Sequence, residues 1–209
     1  MRRSGAKYVV VAALLVSVVA LSLGFAAFSN TLNISASGAV NTPGSAFKVC
    51  FSKATNACTA GSVTPTFSPT TNGPTGDNAT ISSDTTKITG LKATFSDRGQ
   101  SVTYSFKAYN AGQLGAYLNS VAIGSKTCTA NDGTTQSLVN SACNGISISV
   151  KVGSTTYNSS NNSISSHSLA VGANEDVVVT ITYGSTASYA DGDFTVAFGD
   201  TVLTYGTAD

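Results

Sequence analysis

The chain is 209 residues long and carries 11 Lys and Arg against 10 Asp and Glu, a formal net charge of +1 at pH 7. Charged residues make up 10% of it, against roughly 25% in an ordinary soluble domain, and no basic cluster is present to hold nucleic acid. With a single histidine, it cannot supply the paired imidazoles of a zincin site, and any serine triad would have to use that one residue.

Residues 1–26 follow the grammar of a secretory signal peptide. Arg2, Arg3 and Lys7 form a basic start, residues 8–23 form an apolar run, and Gly24 and Ala26 are small residues at a cut site. Cleavage is expected between Ala26 and Ala27. The apolar run is about 16 residues, short against the ~20 of a bilayer span. Adding residues 24–28 brings it close to that length, so a retained membrane anchor is the alternative. Without Arg2, Arg3 and Lys7, 8 basic groups face 10 acidic ones, a net charge of about −2 for residues 27–209. That length suits one domain with a sizeable core. Its surface is polar but nearly uncharged and offers little electrostatic resistance to self-association.

Beyond residue 26 the dominant period is two, which predicts strands. Weak candidates lie at residues 32–40, 46–52, 91–95 and 117–123. Stronger ones place Val102, Tyr104, Phe106 and Ala108 on one face; then Ile146, Ile148, Val150 and Val152; then Val177, Val179, Ile181 and Tyr183; then Phe194, Val196 and Phe198. Polar, Pro- and Gly-rich stretches separate them: long loops at 64–77 and 158–168, and tight turns at 97–100, 110–112 and 191–193. No stretch after residue 26 has helical periodicity long enough to predict a helix. Many short strands with polar connections predict an all-β, antiparallel β-sandwich or jelly roll.

Cys50, Cys58, Cys128 and Cys143 all lie in the exported part, where an even count points to disulfides. Three pairings are open. Cys50–Cys58 and Cys128–Cys143 are favoured, because each closes a short local loop, the second around the turn Asn131-Asp132-Gly133. A four-cysteine metal site has no Cys-x-x-Cys spacing behind it.

Candidate chemistry is sparse. His167 stands in a Ser/Asn loop without a His-Glu-x-x-His partner and is expected to be an exposed loop residue. Asp191-Gly192-Asp193 resembles a fragment of a calcium loop but lacks further oxygen ligands at the required spacing, and reads as a hairpin turn. Glu175-Asp176 is a second acidic pair. No Gly-x-Ser-x-Gly occurs. We therefore expect no catalytic residues, no metal and no cofactor. Tyr104, Phe106, Phe194 and Phe198 are expected in the core. Tyr109, Tyr117, Tyr157 and Tyr189, nearer strand ends, are candidates for exposure and for a sugar-binding surface. Asn33, Asn78, Asn158 and Asn161 begin glycosylation sequons, in a chain rich enough in Asn, Ser and Thr to produce them by chance.

Three segments carry a family resemblance. Residues 21–30 (Leu-Ser-Leu-Gly-Phe-Ala-Ala-Phe-Ser-Asn) resemble a SipW-type signal-peptide junction followed by a first strand. Residues 91–112 contain an extended strand before an Asn-x-Gly turn, and residues 193–205 resemble a closing strand pair. Together they resemble the TasA/camelysin-like group of exported bacterial matrix proteins. The resemblance implies a jelly-roll domain, export through a dedicated signal peptidase, and assembly into extracellular fibres in which the N-terminal strand is donated to the next subunit. Here that strand is residues 27–40, with Leu32, Ile34, Ala36 and Gly38 on one face. The four cysteines and the 64–77 loop depart from the family pattern. Camelysin's metalloprotease activity is not carried over, because one histidine supplies no such ligand set.

The expected function is thus a non-catalytic secreted or surface protein, the self-associating subunit of a matrix or biofilm filament. It meets signal peptidase during export and the membrane only through an uncleaved leader. The C-terminus, Thr204-Tyr205-Gly206-Thr207-Ala208-Asp209, shows no sorting motif for covalent wall attachment, so surface retention is expected to depend on assembly, a partner or the anchor. The alternative is a surface adhesin or carbohydrate-binding module presenting loop tyrosines; a camelysin-like metalloprotease ranks last, because the chain has one histidine.

Overall fold

The computed structural model describes residues 29–34, 47–158, 164, 167–199 and 201–207. The expected signal peptide, its Ala26–Ala27 cut site, Ala36 and Gly38 lie outside the described residues. Among the described residues the chain forms sixteen strands and one helix. The strands are β1 (Ser29–Ile34), β2 (Val49–Ser52), β3 (Gly61–Val63), β4 (Thr66–Ser68), β5 (Ala79–Ile81), β6 (Lys87–Thr89), β7 (Lys92–Phe95) and β8 (Ser101–Asn110). They continue with β9 (Ala116–Ala122), β10 (Lys126–Ala130), β11 (Ile146–Val152), β12 (Thr155–Asn158), β13 (Ser168–Leu169), β14 (Asn174–Tyr183), β15 (Phe194–Phe198) and β16 (Thr201–Thr207). The helix, α1, is Gln136–Cys143.

The fold is an all-β sandwich. One sheet runs β13-β9-β16-β1-β6-β5-β3, a second β12-β11-β14-β8-β2, and a third, smaller one β10-β15-β7; β4 pairs with β8 beyond the end of β2. All pairings are antiparallel except β1 with β6. The centre of the second sheet shows why these residues are strands. β8 sets Val102, Tyr104, Phe106 and Ala108 inward, and its register places Val102 opposite Ile181, Tyr104 opposite Val179 and Phe106 opposite Val177. On the far side of β14, Val179 faces Val150 and Ile181 faces Ile148. A one-residue slip of any of these strands would turn its apolar face to water, so the pattern fixes the register.

One continuous cluster of buried side chains draws on all three sheets. Phe95, Tyr183 and Phe194 join the small sheet to the second one, with Tyr183 and Phe194 edge to face at 5.2 Å and Phe95 5.9 Å from Tyr183. Such pairs add roughly 0.5–1.5 kcal/mol each beyond their burial. The Tyr104 hydroxyl, 2.7 Å from the Lys92 carbonyl and 3.0 Å from that of Asp77, ties β8 to the start of β7.

Both favoured disulfides are present, Cys50–Cys58 and Cys128–Cys143. The second fastens β10 to the last residue of α1. That helix corrects the expectation of none. It lacks an acidic first turn and a basic last turn, and only Val139 and Ala142 are buried. Its N-terminus is held from far along the chain: the Asp191 carboxylate accepts from the Thr135 backbone N–H at 2.9 Å and from its hydroxyl at 2.6 Å. A remote cap leaves no local sequence signal.

Candidate functional site

The site to which the sequence pointed is the N-terminal strand. β1 is neither at an edge nor detached. It lies between β16 and β6 in the middle of the seven-stranded sheet. Along β16 the register runs from Ser29 opposite Gly206 to Ile34 opposite Thr201, and on the other side Asn33 and Ile34 run parallel to Lys87 and Ile88. Without β1 the order would part into β13-β9-β16 and β6-β5-β3, each with an unpaired edge facing the slot.

The register sets Asn30, Leu32 and Ile34 opposite Tyr205, Leu203 and Thr201, which are 0%, 0% and 1% exposed. Leu32 and Ile34, two of the four residues expected to form the donated face, thus lie in the strand, Leu32 within it and Ile34 at its last position. Residues 35–46, which join β1 to the rest of the domain, are outside the description.

Each wall of the slot is anchored independently of β1. β16 pairs with β9 along Val202–Thr207, and Tyr205 reaches across the interior: its hydroxyl donates to Glu175 Oε1 on β14 at 2.8 Å. His167 Nε2 donates to the other carboxylate oxygen, Oε2, of the same Glu175. This corrects the expectation for His167. Its side chain is 13% exposed, and it closes a three-residue network rather than hanging in a loop. The loop end that carries it is docked by the Leu118 N–H, which donates to the His167 carbonyl at 2.9 Å. Burial first, and the neighbouring Glu175 charge second, push the Tyr205 phenol well above its ordinary value of 10.0. The network thus keeps a neutral tyrosine as donor to a carboxylate.

The β6 wall is held by β5 and by a turn in which Asp84 accepts from Ser82 and from the Thr86 N–H. The Ser82 bond, first, and the backbone bond hold Asp84 below its ordinary value against the opposing effect of burial. The Phe51 N–H donates to the Thr85 carbonyl at 2.8 Å and ties that turn to β2.

The other candidates fall apart from this site. Asp191 caps α1 as described, and Asp193 offers its backbone carbonyl to the Asn131 N–H and the Thr134 hydroxyl. Asp176 pairs with Lys107 at 2.6 Å. Among the described residues no three His, Cys, Asp or Glu side chains group closely enough to hold a metal ion, and no helix is long and apolar enough to cross a membrane. Of the tyrosines expected at the surface, Tyr189 is 55% and Tyr117 38% exposed and Tyr109 is half-buried, but Tyr157 is fully buried. Tyr157 lies opposite Val150, on the inward face of β11. Position near a strand end did not report burial there. Tyr104, Phe106 and Phe194 are buried as expected, and Phe198 packs partly buried against the core.

No family model matches the chain, and no curated protein or solved structure matches it either.

Proposed function

We propose that this chain is an exported, non-catalytic structural protein: the subunit of an extracellular filament in which β1 passes from one copy to the next. The single observation that supports the reading is the place of β1. It is the first described strand, joined to the domain by residues 35–46, and it completes a sheet whose two halves it alone joins. Pairing in its own chain gives a closed unit. The same slot filled by a second copy's β1 gives a heterologous, head-to-tail contact, which propagates as a fibre. Backbone hydrogen bonds would supply the affinity, and the alternation of β1 against Leu203 and Tyr205 the register. Two disulfides and a surface with few charges fit an oxidising, extracellular setting.

The test uses the Leu32–Leu203 pair. Directly opposed antiparallel residues are about 4.5–5.5 Å apart at Cα, within the reach of a disulfide. In an oxidised full chain carrying Leu32→Cys and Leu203→Cys, strand passage gives a non-reducing ladder of covalent multimers, with filaments in negative-stain images. Intramolecular closure at every concentration, with monodisperse particles, overturns the proposal.

A further inference from the structure

A pocket of about 300 Å³ opens at the side of the sandwich, lined by residues of β3, β8 and β14 and by Lys53, and by none of β1 or its neighbours β6 and β16. It lies where β3, the last strand of the seven-stranded sheet, approaches β8. β8 is covered there by β2 at residues 107–110 and by β4 at residues 101–103, so neither strand pairs with Tyr104, Ser105 and Phe106 on that side. The pocket sits in this interruption. It is lined by Lys53, Lys107 and Asp176 with Ser62, Thr64 and Ser105, which form its polar rim, and by Val63 and Phe106, which are buried at 4% exposure each and form its apolar floor.

Several details hold the rim in place. Lys53 stands in the loop closed by Cys50–Cys58. That loop is tightened by the Lys53 N–H donating to the Thr59 carbonyl at 3.1 Å and by the Ser52 hydroxyl accepting from the Ala54 and Thr59 N–H groups. Its tip is pinned to β14 by Asn174 Nδ2, which donates to the Thr55 carbonyl at 2.6 Å. The Lys53 stem lies over Gly61. Gly61 has φ +137°, and a Cβ there would stand 3.2 Å from Lys53 Cδ. The glycine leaves the space through which the lysine reaches. Lys107, on β8, is oriented by Asp176 at 2.6 Å.

We propose that this pocket binds an acidic sugar, a uronate. Two ammonium groups against one carboxylate leave the rim with a net positive charge for the sugar's carboxylate. Asp176 and the three hydroxyls match ring hydroxyls, and Val63 and Phe106 suit the apolar face of a pyranose. The volume is at the low end for ligand pockets and suits a single ring. This assignment is independent of whether the chain forms filaments.

The test is a titration of the full chain, followed by NMR shifts and calorimetry, with D-glucuronate, glucose and acetate as probes. D-Glucuronate is expected to bind saturably, and glucose and acetate each about tenfold or more weakly, since each lacks half of the recognised chemistry. Lys53→Ala and Lys107→Ala should each weaken glucuronate binding by about tenfold, while Lys151→Ala, at an exposed position of β11, should leave it unchanged. Cys50→Ser with Cys58→Ser, which frees the Lys53 loop, should weaken it too. Retention on polygalacturonate beads would assign a polymer-borne uronate, and binding of the monosaccharide alone a free one. No saturable response, a response that acetate matches, or binding undiminished in Lys53→Ala and Lys107→Ala overturns the assignment.

Discussion

Tyr205 and Glu175 meet across the sandwich interior, the phenol of β16 donating to a carboxylate of β14 at 2.8 Å. Tyr205 is fully buried, and His167 occupies the second carboxylate oxygen. The contact fastens the wall of the β1 slot to the opposite sheet, and it gives the mostly buried Glu175 carboxyl two side-chain partners.

Tyr205→Phe removes one of those partners and keeps the ring. It should destabilise the fold by about 1–3 kcal/mol, the cost of leaving a buried acceptor short of a partner. The same residue sets an alkaline limit. A phenol whose folded pKa is raised keeps its proton in the folded state after the unfolded chain has lost it. Its stabilising contribution is therefore whole below 10.0 and is lost as pH rises from there toward the folded value. Burial also raises Tyr104 and Tyr183, so Tyr205→Phe should reduce the alkaline slope without abolishing it. Urea unfolding between pH 8 and pH 12 measures both effects. A slope identical in the variant would show that Tyr205 is not among the groups responsible.

The two disulfides should contribute unequally. They span 8 and 15 residues, and loop-closure entropy assigns roughly 2.5 and 3 kcal/mol to loops of these lengths. Cys128→Ala with Cys143→Ala also frees the end of α1, so its loss should be the larger one in denaturant midpoints at constant m. Amide exchange should then rise in α1 and β10 but not in β2.

Gly145 packs against Ala187 so closely that a Cβ on it would stand 2.1 Å from the Ala187 Cβ and 3.1 Å from its Cα. Gly145→Ala should cost about 1–3 kcal/mol through forced displacement of the 184–187 turn. Adding Ala187→Gly removes the nearer atom and should recover part of that loss. Thermal melts of the two single variants and the double variant form the cycle, and strictly additive costs would show that the two residues do not compete for this space.

The sequence made the layers of this fold legible where a strand has one apolar face: β8, β11, β14 and β15 all follow the period-two pattern. The pairing of the cysteines followed from loop length. What it hid are relationships over distance. Lys87–Thr89 is too short for a pattern, and its parallel partner lies more than fifty residues earlier, so the central place of β1 could not be read. Helix α1 takes its cap from Asp191. His167 looks solvated by its Ser and Asn neighbours, yet folds back onto Glu175 from β14. The pocket residues come from positions 53, 62–64, 105–107 and 176, and nothing in their local sequence brings them together.

A slot that accepts a strand and a sheet that merely contains one respond differently to the loss of β1. Proline at position 32 removes a backbone donor in the middle of β1 and sets a ring against the ladder, a place central strands do not tolerate. In Leu32→Pro, amides of β16 and β6 should lose protection first, because those strands flank the slot, while β8, β11 and β14 keep theirs. A synthetic peptide of residues 27–40 should then enter the vacated slot. At about 100 times its Kd it should return about 2.7 kcal/mol of stability, with protection restored at Thr201–Thr207 and Lys87–Thr89 together. Restoration requires both walls to remain in place without β1, as the Tyr205–Glu175 and Phe51–Thr85 contacts predict. A peptide that neither stabilises the variant nor protects these two strands would mean that β1 folds only as a covalent part of its own sheet, and strand passage between copies would have no slot to use.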